Sequence, residues 1–184
     1  MKIFENSNSK AIKTLIGTAL VKFATGIIAV WGTINIYFFS YLRNHDIEVT
    51  KRTNSLLMVM VIIPASLLVL FAMKFSRYFG YKTLIRICAV LFTICPLLLN
   101  IKFNMVTMAI FFLFIPMMCF SLSAIPIINC LWSQFPKDLN KVSGAAILFF
   151  SLGMITWNII FFKVVNPDNL EAEIDDQDQP YFGK

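Results

Sequence analysis

Five long stretches of apolar residues make up most of this 184-residue chain. A helix needs roughly 20 mainly apolar residues to cross the hydrocarbon core of a bilayer, which is about 30 Å thick. The backbone must also satisfy its own hydrogen bonds there, so repeated apolar stretches indicate helices. The chain is therefore predicted to be an all-α polytopic membrane protein. The predicted transmembrane helices are residues 23–42, 56–73, 84–99, 105–131 and 142–165.

The composition excludes a soluble domain and does not favour an enzyme. Hydrophobic residues are 58% of the chain and charged residues only 14%, whereas soluble domains carry about 25% charged residues. The five apolar stretches contain no Asp, Glu or His. No phosphate-binding loop, nucleophile elbow or zinc-protease motif occurs, and the four cysteines lack the spacing of a zinc site. We therefore expect no catalytic residue, no metal site and no cofactor.

The basic residues are expected to set the orientation in the bilayer, which is the expected partner. The net charge is +6, but no basic stripe with interleaved aromatic residues occurs, so no nucleic-acid partner is expected. Lys and Arg are more numerous before helix 1 and after helices 2 and 4 than in the alternate segments. This predicts a cytoplasmic basic N-terminal segment at residues 1–22, with Lys22 as an interfacial anchor. It also predicts an acidic, disordered, non-cytoplasmic tail at residues 166–184.

Uncharged polar side chains inside the apolar stretches are the candidates for contact with a solute. Such groups are costly in lipid unless they are paired, so they should face the bundle or a watery cavity. Hydrogen bonds between helices would satisfy them too, and that alternative stays open. The substrate-cavity candidates are Asn35, Tyr37, Ser40, Asn129 and Asn158.

Small residues and prolines predict where the helices pack closely and where they bend. Small residues around Gly26 in helix 1 and Gly153 in helix 5 would let helix backbones approach each other. Prolines inside a membrane helix kink it. Those inside the apolar stretches are Pro64, Pro96, Pro116 and Pro126.

Helix 1 also carries a resemblance to a known family. The segment TGIIAVWGTINIYFFSYLRNHD, residues 25–46, resembles the first helix of major facilitator superfamily transporters. The similarity is greatest to the oxalate:formate and monocarboxylate-type antiporters, including their protist relatives. The segment from Trp132 to Gly144 similarly resembles the family's entry into helix 5. The matching positions in helix 1 are Gly26, Trp31, Gly32, Asn35, Tyr37, Ser40 and Tyr41.

The loop between helices 2 and 3 lies where this family has its gate-loop signature. Its sequence is MKFSRYFGYKTLIR, in which Gly80 and Lys82 match the family pattern. Arg77 departs from it, because the family has an Asp at that position that helps to latch the cytoplasmic gate.

The resemblance implies helices 1–5 of the major facilitator fold and transmembrane transport of a small, anionic solute. Transporters of this family have two six-helix halves with the solute between them. The chain would then be a truncated or split N-terminal part that binds its solute when assembled with a second half. The alternative is a non-transporting structural subunit, with other membrane-protein chains as partners.

Overall fold

The computed structural model describes residues 9–43, 51–98 and 104–168, and the two short strands at 173–174 and 180–181. In these parts of the chain, helices account for nearly all of the regular structure. Four of them are long and apolar enough to cross a membrane, which agrees with an all-helical, multi-pass membrane protein. These candidate spans are Ser9–Leu42, Leu56–Phe79, Val106–Gln134 and Leu139–Val165.

The first span begins earlier than the sequence predicts and is interrupted once. It consists of α1 at Ser9–Thr25, a 3-10 helical segment at Gly26–Val30, and α2 at Trp31–Arg43. The predicted boundary at residue 22 thus falls inside a helix. Lysines lower the hydropathy of α1, but most residues between them favour a helix, so the helix extends beyond the apolar stretch.

The second and third helices are joined by a single residue. The helix α3 covers Lys51–Phe79 and α4 covers Tyr81–Leu97, with Gly80 between them. Gly80 has a φ of 77°, a conformation that favours glycine. The 17 residues of α4 would extend about 25 Å, at the short end of the range for a membrane span. The predicted span at 84–99 corresponds to this helix.

The fourth span contains a second interruption. It consists of α5 at Met105–Met108, a π-helical segment at Ala109–Phe114, and α6 at Ile115–Gln134. Its start is fixed by a reciprocal pair of hydrogen bonds: the Thr107 N–H donates to Asn104 Oδ1 at 2.8 Å, and the Asn104 N–H donates to Thr107 Oγ1 at 3.1 Å. Such a pair satisfies donors that a helix start leaves unpaired.

The last helix, α7, covers Leu139–Val165 and is followed by a short pair of strands. Strand β1 at Glu173–Ile174 pairs antiparallel with strand β2 at Pro180–Tyr181. Most of the tail that the sequence predicts to be disordered, residues 166–184, lies outside the described residues. Strand β2 lies against α2.

The helix α6 lies at the centre of the bundle. It packs against α3 and α4 and also contacts α1, while α7 packs along α1 and the 3-10 segment. Large apolar side chains also cover much of the outer surface; Leu70 and Val164, for example, are 74% and 73% exposed. A surface of this kind is expected where a protein faces lipid rather than water.

Candidate solute site

Lys22 places a positive charge at the middle depth of the bundle. It is partly buried in α1, and its Nζ lies 5.6 Å from the centre of the Phe120 ring. Phe120 is central in the span Val106–Gln134, and Phe150, whose ring centre lies 5.9 Å from that of Phe120, is close to the centre of Leu139–Val165. Lys22 is therefore well inside the bundle, and the prediction of an interfacial anchor does not fit this position.

No acidic residue in the helices can neutralise this charge, because α1 to α7 contain neither Asp nor Glu. Among the described residues, the Lys22 ammonium lies over the face of the Phe120 ring. A cation–π contact contributes about 0.5–2 kcal/mol, whereas a lysine at the centre of a membrane helix costs about 2.5–3.5 kcal/mol on insertion scales. The ring offsets only part of that cost, so Lys22 favours an anion beside it.

A cavity of about 560 Å³ lies next to Lys22, between α6 and α7. Its volume is in the range of roughly 300–1,000 Å³ that is typical of small-molecule sites. We call it the Lys22 cavity. Besides Lys22, its polar side chains are those of Asn129 and Trp132. Its remaining walls are apolar and come from Phe120, Ala124, Ile125, Ile128, Ala146, Ile147 and Phe150.

The two other polar groups of the Lys22 cavity have different partners. Asn129 Nδ2 lies 3.0 Å from Met73 Sδ, to which it donates. A thioether is a weak acceptor, so this amide can exchange it for a solute oxygen at small cost. Trp132 Nε1 donates to Ser143 Oγ at 2.8 Å and joins α6 to α7. Asn129 is thus the better placed of the two for contact with a solute.

Two of the predicted cavity residues, Tyr37 and Ser40, lie elsewhere in the bundle. Ser40 is buried and its Oγ donates to the Ile36 carbonyl of its own helix at 2.8 Å. The Tyr37 hydroxyl accepts a hydrogen bond of 3.2 Å from Asn166 Nδ2, and its ring meets Phe161 edge-on at 5.6 Å. These contacts of Tyr37 join α2 to the C-terminal end of α7. They agree with the alternative that polar side chains in the apolar stretches form hydrogen bonds between helices.

The remaining predicted residues also lie outside the Lys22 cavity. Asn35 is partly buried in α2, and Asn158 is exposed on α7. In the gate-loop segment, Arg77 and Lys82 are exposed on either side of Gly80, and Lys82 Nζ lies 5.9 Å from the centre of the Tyr81 ring. Of the five predicted cavity residues, Asn129 is the one that lines it.

The depth of Lys22 is set by a close crossing of α1 and α7. A Cβ on Gly26 would lie 2.5 Å from a backbone nitrogen of α7, and a Cβ on Gly153 would overlap the Phe23 carbonyl oxygen. Trp157 Nε1 donates to that same oxygen at 3.1 Å. We call this contact the glycine crossing. It agrees with the close packing that the small residues predict, and it holds Lys22 at a fixed height beside α7.

Sequence reasoning missed Lys22 because it begins the first span at residue 23. A signal was present: between the lysines at positions 10, 13 and 22, the chain has helix-forming and apolar residues and no glycine pair or proline. The depth of the side chain, however, depends on how α1 packs.

Comparison with protein-family models, with curated proteins and with solved structures found no match to this chain. The class that the fold defines is that of a multi-pass helical membrane protein. The resemblance to the major facilitator superfamily stays a prediction.

Proposed function

We propose that the chain binds a small organic anion as part of a membrane transport system, and that the Lys22 ammonium is the anion-binding group. The observation that carries the proposal is a lysine at middle depth, without an acidic residue in the helices, beside a cavity of about 560 Å³. Charged residues inside membrane helices are rare and commonly mark solute or ion pathways.

The lining of the Lys22 cavity favours a carboxylate with a short carbon skeleton. The ammonium attracts the anion and offers hydrogen-bond donors, and the Asn129 amide adds a directed donor when it leaves Met73. Apolar side chains such as Ile128 and Ile147 would contact the carbon atoms of the solute. A cation has no counter-charge in this site, because the helices contain no carboxylate.

Transport, as distinct from binding, is proposed for an assembled protein. Alternating access needs two bundles that move around one site, so a second half would supply the opposite wall of the Lys22 cavity. The resemblance of helix 1 to anion antiporters supports this reading. The alternative is a structural subunit that binds no solute.

Binding of radiolabelled oxalate to the purified chain in lipid nanodiscs tests the proposal. We expect saturable binding that is at least about 10-fold weaker in Lys22→Met, because a hydrogen bond to a charged group contributes roughly 1.5–3 kcal/mol. Lys22→Arg keeps the charge and should stay within about 3-fold of the unsubstituted chain. Lys163→Met is the matched control, since Lys163 is exposed in the last turn of α7.

Equal oxalate binding by the unsubstituted chain and Lys22→Met would overturn the role of Lys22. Competition by acetate, and its absence with choline, would support the anion class. A correctly folded chain that binds none of these anions would favour the structural subunit.

A further inference from the structure

Two cysteines from different helices meet in the interior of the bundle. Cys88 comes from α4 and Cys119 from α6, and they are 4% and 5% exposed. Their thiols form a hydrogen bond with each other. With Leu84 they make up a buried cluster between the two helices. Sulfur ligands of this kind select soft metal ions such as Cu(I).

A small cavity of about 80 Å³ adjoins both cysteines. We call it the thiol cavity. It is far smaller than the roughly 300–1,000 Å³ of small-molecule sites, but larger than the ~30 Å³ that one water molecule occupies in the liquid. Ala89 and Thr93 also line it and are exposed on α4, so it opens at the surface of the bundle. The thiol cavity therefore has room for an ion rather than for an organic solute.

The other polar side chains of the thiol cavity are hydroxyls that already have partners. Each of the three donates a hydrogen bond to a carbonyl of its own helix. They are Thr25, Thr93 and Ser123. A structural zinc ion takes four ligands, and Ca²⁺ and Mg²⁺ take about six or more oxygens. The two sulfurs instead suit an ion that is satisfied with two ligands.

The charge balance favours a monovalent ion. The helices α1 to α7 contain no Asp or Glu, so no carboxylate balances a divalent ion here. When a monovalent ion binds, one thiol becomes a thiolate and releases its proton to the solvent, and the other stays a neutral thiol. The ion and the thiolate then sum to zero charge, which avoids the cost of a net charge in apolar surroundings.

The contact between the sulfurs also suits an ion better than a disulfide. A sulfur–zinc bond is about 2.3 Å long, so an ion of similar size between two sulfurs holds them about 4.6 Å apart. Two thiols in hydrogen-bonding contact need little movement to reach that separation. A disulfide would instead draw the sulfurs together to about 2 Å.

We propose that Cys88 and Cys119 bind one soft monovalent metal ion, of the class of Cu(I), between α4 and α6. The cysteines lack the sequence spacing of a zinc site, but a two-coordinate ion needs only two thiols that meet in space. This site is independent of the anion site, because the two use different binding groups.

Silver ion is a suitable probe, because Ag⁺ has the charge and the ligand preference of Cu(I) and is not oxidised by air. The chain in nanodiscs is titrated with Ag⁺ in excess glutathione, a competitor with one thiol per molecule. We expect one Ag⁺ to be retained per chain, measured by plasma mass spectrometry after the nanodiscs are separated. Zn²⁺ should not be retained under the same conditions. Equal retention of Zn²⁺ and Ag⁺ would overturn the proposal.

Cys88→Ala and Cys119→Ala each remove one of the two ligands. Loss of an outer partner of a metal site already costs about 10–100-fold in affinity, so we expect each variant to bind Ag⁺ at least about 100-fold more weakly. Cys95→Ala is the matched control, because Cys95 is on the same helix as Cys88 and is also 4% exposed. It lies about 10 Å further along α4, so its loss should leave Ag⁺ binding unchanged. Equal losses in Cys88→Ala and Cys95→Ala would contradict a paired site.

X-ray absorption at the copper edge is a second test that needs no substitution. The chain is loaded with Cu(I) under reducing conditions, and the sulfur neighbours of the metal are counted. We expect two sulfurs per copper. A single sulfur, or a shell of oxygen or nitrogen atoms, would overturn the proposal even if the alanine variants fail to fold.

Discussion

The contacts of α1 with α7 differ sharply over one helical turn. At Gly26 and Gly153 the two backbones touch, and there is no room for even a methyl group. Four residues earlier, at Lys22, a cavity of about 560 Å³ opens beside α7. A binding group is most precise when a rigid element holds it. The glycine crossing therefore serves as the fixed support for the open site beside it.

The polar groups of these two regions differ in the same way. At the glycine crossing, the Trp157 indole has a good acceptor in the Phe23 carbonyl. In the cavity, the charged end of Lys22 lies over an aromatic ring, that of Phe120. Substitutions should therefore destabilise the protein at the crossing and stabilise it at the cavity.

The largest effect is expected from Gly153→Ala. The new methyl group would overlap the Phe23 carbonyl oxygen, and backbone cannot move aside as a side chain can. We expect a loss of about 3 kcal/mol or more in the free energy of unfolding, measured by SDS titration in mixed micelles. Gly144→Ala in the same helix is the control, because a Cβ there has nothing within 4 Å. If both alanine variants were equally stable, the crossing would not be tight.

Lys22→Met should act in the opposite direction. Removal of an uncompensated charge at middle depth is expected to raise the free energy of unfolding by up to about 2.5 kcal/mol, although anion binding is lost. The same SDS titration measures it. A lower stability in Lys22→Met would show that Lys22 holds the bundle together rather than serving the cavity.

Trp157→Phe tests the hydrogen bond at the crossing. The loss of the 3.1 Å bond to the Phe23 carbonyl should lower the free energy of unfolding by about 1 kcal/mol. Trp31→Phe is a matched substitution, because its indole N–H has no acceptor among the described residues. It should lose less stability than Trp157→Phe, and the reverse order would contradict these assignments.

The smallest effects are expected from two asparagines that the sequence alone ranks alike. Asn129→Leu should weaken oxalate binding about 3-fold, equivalent to roughly 0.6 kcal/mol, because its amide lines the cavity. Asn158→Leu should leave binding unchanged, because Asn158 is exposed on α7. Equal losses in both variants would place the anion somewhere other than beside Lys22.

The sequence predicts much of the fold because membrane helices are local features. Each of the four candidate spans contains or overlaps a predicted apolar stretch, and α4 matches the remaining one. Gly26 and Gly153 were also expected to lie at helix contacts. These predictions need only hydropathy and side-chain size, which can be read along the chain without knowledge of its partners.

The sites were harder to predict, because they depend on which helix faces which. Asn129 and Asn158 are both amides in apolar stretches, but the packing of α6 and α7 leaves Asn129 partly buried at a cavity and Asn158 exposed. In the sequence alone, Lys22 belongs to the basic N-terminal segment. Its position inside the bundle follows only from the packing of α1 against the centre of α6. The lack of an acceptor for Trp31 follows from the arrangement of several helices together, so no local pattern could reveal it.

The single-residue connection at Gly80 has a consequence for biosynthesis. Because one residue joins them, α3 and α4 would enter the bilayer together as one helical hairpin. The cations near the turn, which include Lys74, Arg77, Lys82 and Arg86, resist translocation. On the prediction that segments rich in Lys and Arg stay in the cytoplasm, the orientation of both helices would be decided in one step.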